Sequence, residues 1–185
     1  MKKSIEDYRV AVKKLAELQD GLLFENDGIY HAAIVNSSIF DTAEEIVRIY
    51  SNGMRGSFST LDEYFNSITK FLSNDRIVKV IIDSAITQEN KFLQKLTSKY
   101  ESIPENIVIK IASKDFVDDI KSISSNNNYV HHFTTGDNRM FRLETNNEKH
   151  TAFVSFNKPE VAELLNTIFD KHFDKLKKVD LACSK

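Results

Sequence analysis

Residues 129–156 read YVHHFTTGDNRMFRLETNNEKHTAFVSF. This stretch holds three short runs rich in β-branched and aromatic residues: YVHHFTT (129–135), RMFRLET (139–145) and TAFVSF (151–156). Polar turns separate them. Gly136-Asp137-Asn138 suits a tight hairpin, because glycine takes positive φ freely and Asp and Asn tolerate turn geometry. Three strands with such short connections are antiparallel neighbours. Pro159 then opens a helix at its first turn, where the missing N–H costs nothing. Val161, Leu164, Leu165, Ile168, Phe169, Phe173 and Leu176 line one broad face of that helix. Lys175, Lys177 and Lys178 stand at its C-terminal end, where the helix dipole favours cations.

Toward the N-terminus the pattern changes from consecutive strands to alternation. IYHAAIV (29–35), IVKVIID (77–83) and IVIKIA (107–112) are short apolar runs bounded by polar residues, the signature of buried strands. Helical spacing is read at 4–19, across Ile46, Val47 and Tyr50 after a cap at Asp41 or Thr42, at 60–72, at 87–101 and at 114–123. Ser4 suits an N-cap ahead of Glu6 and Asp7, and Thr60 with Glu63 fits a capping box. The predicted class is α/β, a mixed sheet with a parallel core and an antiparallel C-terminal extension. The 185 residues are expected to form a single domain, 1–24 being an N-terminal helix packed on a core of residues 25–185.

Composition narrows the function. Twenty-five Lys and Arg against 27 Asp and Glu leave a net charge of −2, which disfavours a protein that coats nucleic acid non-specifically. The single cysteine, Cys183, allows neither an internal disulfide nor a thiolate zinc cluster. No apolar run reaches the ~20 residues of a membrane helix, and MKKSIEDYRVAVKK has no apolar signal core. A cytoplasmic protein without cofactor or metal is the expectation.

Side chains suited to chemistry concentrate in the last third. His131 and His132 are adjacent on a strand and point to opposite faces, so without a bulge only one can enter a given site. Histidine titrates near neutral pH and serves as nucleophile or acid–base group. Asp137 and Asn138 are turn residues in the plainer reading. Arg142 and Glu144 share a strand face; Arg139 precedes them, and an arginine fork suits bidentate contact with an anion. A salt-bridged surface is the plainer account of this group. The loop SNGMRGSFST (51–60), with Arg55, leads toward a helix N-terminus that could meet an anion, but it matches no phosphate-binding motif.

The histidine-bearing strand, the Asp turn, the two strands that follow and the closing FNKPEVAELLNTIFDKHF together resemble the end of a phospholipase D-like domain. The alternating strands before them resemble its first part. That resemblance implies a phospholipase D-like sheet with helices on both faces. It also implies an HxKxxxxD motif in which the histidine is nucleophile, with lysine and a following asparagine binding phosphate. With Asp137 as the motif aspartate, the histidine position falls on Val130 and the lysine position on His132. Glu144 and Thr145 take the places of glycine and serine, and Asn147 that of the asparagine. A one-residue bulge would bring His131 to the nucleophile position, with Phe133 in place of the lysine.

The resemblance therefore implies a degenerate, inactive domain. Such a domain would be a binding or scaffold subunit of a bacterial nucleic-acid-processing or phage-defence assembly. It implies a homodimer or a protein partner, with nucleic acid reached through that partner. The alternative it leaves open is a metal-independent phosphodiesterase or nuclease whose rearranged site, at a dimer interface, uses His131 or His132 with Asp137 and Asn147. In that reading Arg139 or Arg142 replaces the lysine. Independently of the resemblance, a small α/β regulatory domain would bind its ligand through the 51–60 loop, Arg55 included.

Overall fold

The computed structural model describes residues 4–54, 57–83, 90–123 and 129–179. Helix α1 (Ile5–Glu17) begins at a capping box in which the Ser4 hydroxyl and the Asp7 carboxylate satisfy each other's backbone N–H. The chain continues through β1 (Phe24–Asn26), α2 (Ile29–Thr42), β2 (Ile46–Ser51), a 3-10 turn at Ser57–Thr60, α3 (Asp62–Leu72) and β3 (Ile77–Ile82). It goes on through α4 (Lys91–Tyr100), β4 (Ile107–Ile111), α5 (Lys114–Ser122), β5 (Phe133–Gly136), β6 (Met140–Asn146), β7 (Thr151–Ser155) and α6 (Pro159–Phe173).

The seven strands form one sheet in the order β1-β7-β6-β5-β2-β3-β4. Strands β2, β3 and β4 are parallel, and β5, β6, β7 and β1 extend the sheet antiparallel. This is the predicted mixed α/β class. Two cores cover the faces. One gathers Ile34, Ile39 and Phe40 of α2 with Phe71, Val78 and Phe92. The other gathers Tyr50, Phe116, Phe133, Phe141 and Phe169, so α5 and α6 pack on that side. After α6 the chain runs along the outer edge of β4: Val179 N–H donates to the Ile109 carbonyl and Ile111 N–H to that of Lys177. This covers an edge that would otherwise present unpaired backbone groups.

Two elements exchange places relative to the sequence expectation. Residues 29–35, expected as a strand, are the first half of α2. Residues 46–50, expected on a helix, fall in β2. In α2 every residue from Ala32 to Phe40 is buried. A helix buried all round carries no polar face and therefore no 3.6-residue period to read. In β2 the central residues are buried on both faces, as in the middle strand of a covered sheet. The N-cap of α3 is Leu61, without a side-chain cap, so the expected Thr60–Glu63 capping box does not form. Instead Glu63 takes Arg9 of α1 in a two-bond contact of 2.8 Å each. Strand β5 starts at Phe133, four residues later than expected, and the three-residue strand β1 had no signal in the sequence. Cys183 and the Asn126–Asn128 loop lie outside the described residues.

Candidate functional site

A cavity of about 300 Å³ opens where the C-terminal end of β2 meets the N-terminal end of β5. In open α/β sheets the carboxyl ends of parallel strands are the ordinary place for a site. Ile49, Met54 and Tyr64 give it an apolar wall; His132, Arg142, Glu144, Asn147 and His150 give it a polar one. The sheet register explains this grouping. Thr134 pairs with Arg142, and the Glu144 N–H donates to the His132 carbonyl, so His132, Arg142 and Glu144 project to one face.

The polar wall is a connected network. His132 Nε2 lies 2.8 Å from Asp83 Oδ2, and its Nδ1 lies 3.5 Å from Glu144 Oε2. The Tyr50 hydroxyl donates to the other oxygen of Asp83. Arg142 uses all three of its nitrogens: Nε to Asn26 Oδ1 at 2.9 Å, Nη1 to Glu144 Oε1 at 3.0 Å and Nη2 to the His150 carbonyl at 3.1 Å. His150 Nδ1 stands 3.5 Å from Glu144 Oε1. Burial opposes a charge on His132, but the Asp83 and Glu144 carboxylates outweigh it and raise the imidazole to about 9. Burial likewise opposes a charge on Glu144, and His132, His150 and Arg142 nonetheless hold its carboxyl well below the usual range. At neutral pH the cluster is thus two cations, Arg142 and His132, facing two carboxylates, Asp83 and Glu144.

The site residues expected from the sequence divide into two groups. His132, Arg142, Glu144 and Asn147 meet at the cavity. Asn147 is held there by Tyr129, whose hydroxyl accepts from the Asn147 N–H at 2.8 Å and donates to its Oδ1 at 2.9 Å. His131 is not part of the cavity lining. Its Nδ1 lies 2.7 Å from the Glu144 carbonyl, and its ring packs edge-on against Tyr129. Asp137 and Arg139 lie at the other end of β5. Both Asp137 oxygens accept backbone N–H groups, those of Glu44, Glu45 and Ile46, at 2.9 to 3.1 Å. Arg139 donates to the Thr42 carbonyl at the end of α2. Arg55 lies outside the described residues.

Asp83, Tyr50, His150 and Asn26 escaped the sequence reading. A carboxylate directly after the apolar run of β3 was the one local signal for Asp83, because that position is the carboxyl end of a parallel strand. Asn26 reaches the network through the pairing of β1 with β7, which no local pattern announces, and His150 through the turn between β6 and β7. Among the described residues, no group of three or more His, Cys, Asp or Glu side chains is arranged to hold a metal ion. Nor is any helix there long and apolar enough to cross a membrane.

No family model matches the sequence, and no curated protein matches it. Solved structures do. Nuc from Salmonella typhimurium, a phospholipase D family member, superposes with a TM-score of 0.56 at 14% identity, over 85% of this chain and 98% of its own. The fold is phospholipase D-like. NucT from Helicobacter pylori gives the same TM-score of 0.56 at 14% identity, over 85% of this chain and 99% of that one. TrmBL2, described as an archaeal chromatin protein with a novel mode of DNA binding, matches 95% of this chain with a TM-score of 0.55 at 12% identity. The chain spans 64% of the length of TrmBL2.

Proposed function

We propose that this chain is a non-catalytic phospholipase D-like module, a binding or scaffold subunit of a nucleic-acid-processing assembly. The observation that carries this reading is the state of His132. Its Nε2 lies 2.8 Å from Asp83 Oδ2 and its Nδ1 3.5 Å from Glu144 Oε2, a setting between two carboxylates that favours the protonated imidazole. A protonated imidazole has no lone pair with which to attack phosphorus. With Asp137 as the motif aspartate the nucleophile position would fall on Val130, which carries no nucleophile, and His131, which a bulge would bring there, is turned to the Glu144 carbonyl. The cations of the pocket already have carboxylate partners and leave no uncompensated positive charge for a transferring phosphoryl group. The likeness to TrmBL2, described as binding DNA, supports the association with nucleic acid. The net charge of −2 supports contact through a second chain, a copy of this one or another protein, in place of a broad basic surface.

The test is cleavage of single-stranded DNA, duplex DNA and a chromogenic phosphodiester by the purified protein in EDTA. His131→Ala, His132→Ala and His150→Ala are assayed beside the wild type. The expected result is no turnover by any of them. Turnover that survives chelation and disappears in one of the three variants would overturn the reading and identify the nucleophile.

A further inference from the structure

The donors of the pocket converge on one point, and that point is the Glu144 carboxylate. Arg142 Nη1 reaches Oε1 at 3.0 Å, His150 Nδ1 stands 3.5 Å from the same oxygen, and His132 Nδ1 stands 3.5 Å from Oε2. They come from different parts of the sheet: Arg142 and Glu144 from β6, His150 from the turn ahead of β7, His132 from the entry to β5. The Arg142 and Glu144 side chains are 3% and 8% exposed. Arg142 is fixed on its other two nitrogens by Asn26 and the His150 carbonyl, so its free edge has one direction to point. A fixed arginine fork and two imidazoles around one buried carboxylate make a seat for an oxyanion.

We propose that this seat is an anion-binding site filled from inside the chain by Glu144, and that with the Glu144 side chain removed it binds inorganic phosphate. The proposal rests on the non-catalytic reading of the same pocket and deepens it. An internal carboxylate on these donors shuts anionic ligands out of the wild-type pocket.

The physical argument is one of compensation. Removing one partner of a buried ion network leaves the others charged without a counterion, which is far costlier than removing both. Truncation at Glu144 leaves Arg142 and His132 with Asp83 as their one carboxylate. Two ways of relieving that excess exist: an anion enters from solution, or His132 gives up its proton. A geometry already arranged around an oxyanion favours the first. Phosphate offers the same kind of oxygen acceptor, and the space vacated by the glutamate side chain adds to a cavity of about 300 Å³.

The experiment is thermal unfolding of the full chain in phosphate and in chloride of equal ionic strength, for wild type, Glu144→Ala and Glu144→Ala/Arg142→Met. The wild type is expected to show only the small general stabilisation that phosphate gives a folded chain, and the effects below are counted beyond it. Glu144→Ala is expected to melt lower in chloride and to recover by roughly 5 °C in saturating phosphate. The double variant is expected to lose that recovery. Should Glu144→Ala not fold, Glu144→Ser takes its place with the same expectation, since it too removes the carboxylate and empties the seat. Overturning results are a folded single variant indifferent to phosphate, an equal phosphate effect on the wild type, or an effect that persists without Arg142. Turnover of phosphodiesters by the wild type would refute the non-catalytic reading, whereas indifference to phosphate would refute the filled seat alone.

Discussion

Asp137 shows how one residue is defined by its surroundings more than by its motif. It stands at φ 50°, in the left-handed region that aspartate tolerates better than most residues. From there its carboxylate reaches the three successive N–H groups of Glu44, Glu45 and Ile46, where the chain leaves α2 and enters β2. The three donors sit on and just after the short connection between α2 and β2. Asp137 is therefore the clasp of this turn, at the opposite end of β5 from the cavity. Asp137→Ala removes three charge-assisted hydrogen bonds, and a loss of about 2–4 kcal/mol is expected in urea unfolding. Asp137→Asn keeps the turn geometry and one acceptor oxygen, and is expected to lose about half as much. A change within 0.5 kcal/mol for the alanine variant would refute the clasp.

At the scale of elements, α2 and its neighbours decide how much of the fold could be read. The hairpin of β5 and β6 was legible because Gly136-Asp137-Asn138 carries turn chemistry in three adjacent residues. The long α6 was legible because its outer face is polar and its inner face is not. Helix α2 and strand β2 were not, because burial on all sides erases both periods at once. What fixes α2 is a long-range fit. Gly136 of β5 sits under it, and a Cβ there would come within 2.6 Å of Met140 Cε and 2.8 Å of Ile39 Cγ2. The helix can lie this close to the sheet because that strand position has no side chain. Gly136→Ala is expected to cost about 1–3 kcal/mol by overpacking, and Gly136→Ala/Ile39→Ala, which removes the Cγ2 that the new Cβ meets, to cost less than the sum of its two single variants. The measurement is chemical unfolding of the single and double variants. An additive double variant would place the crowding elsewhere.

Taken as a whole, the molecule joins both halves of its sheet through the charged wall of the cavity. Asn26 of β1, Tyr50 of β2, Asp83 after β3, His132 ahead of β5, Arg142 and Glu144 of β6 and His150 ahead of β7 form one network. Three of the seven were legible: Arg142 and Glu144 two apart on one strand, and His132 on the strand before it. The rest depends on which strands are neighbours, and strand order is not a local property. This network makes stability depend on pH. The groups facing His132 are Asp83, Glu144 and, across Glu144, Arg142 and His150, with Tyr50 on the far oxygen of Asp83. The folded His132 titrates at about 9, above its unfolded value near 6.5, so its contribution is complete below about pH 6.5 and is lost as pH rises through 9. Glu144, held low, contributes above its unfolded value and loses that only on strong acidification. Tyr50 is raised by burial and by Asp83, so it adds a further loss above about pH 10. Stability is therefore expected to fall by up to about 3 kcal/mol between pH 6.5 and 9. His132→Gln cannot carry the proton and is expected to flatten that interval while lowering stability at pH 6. Urea midpoints at pH 6, 7.5 and 9 for the two proteins measure this directly. A wild-type slope that survives His132→Gln would assign the titration to another group and remove the case for a protonated His132 at the centre of the fold.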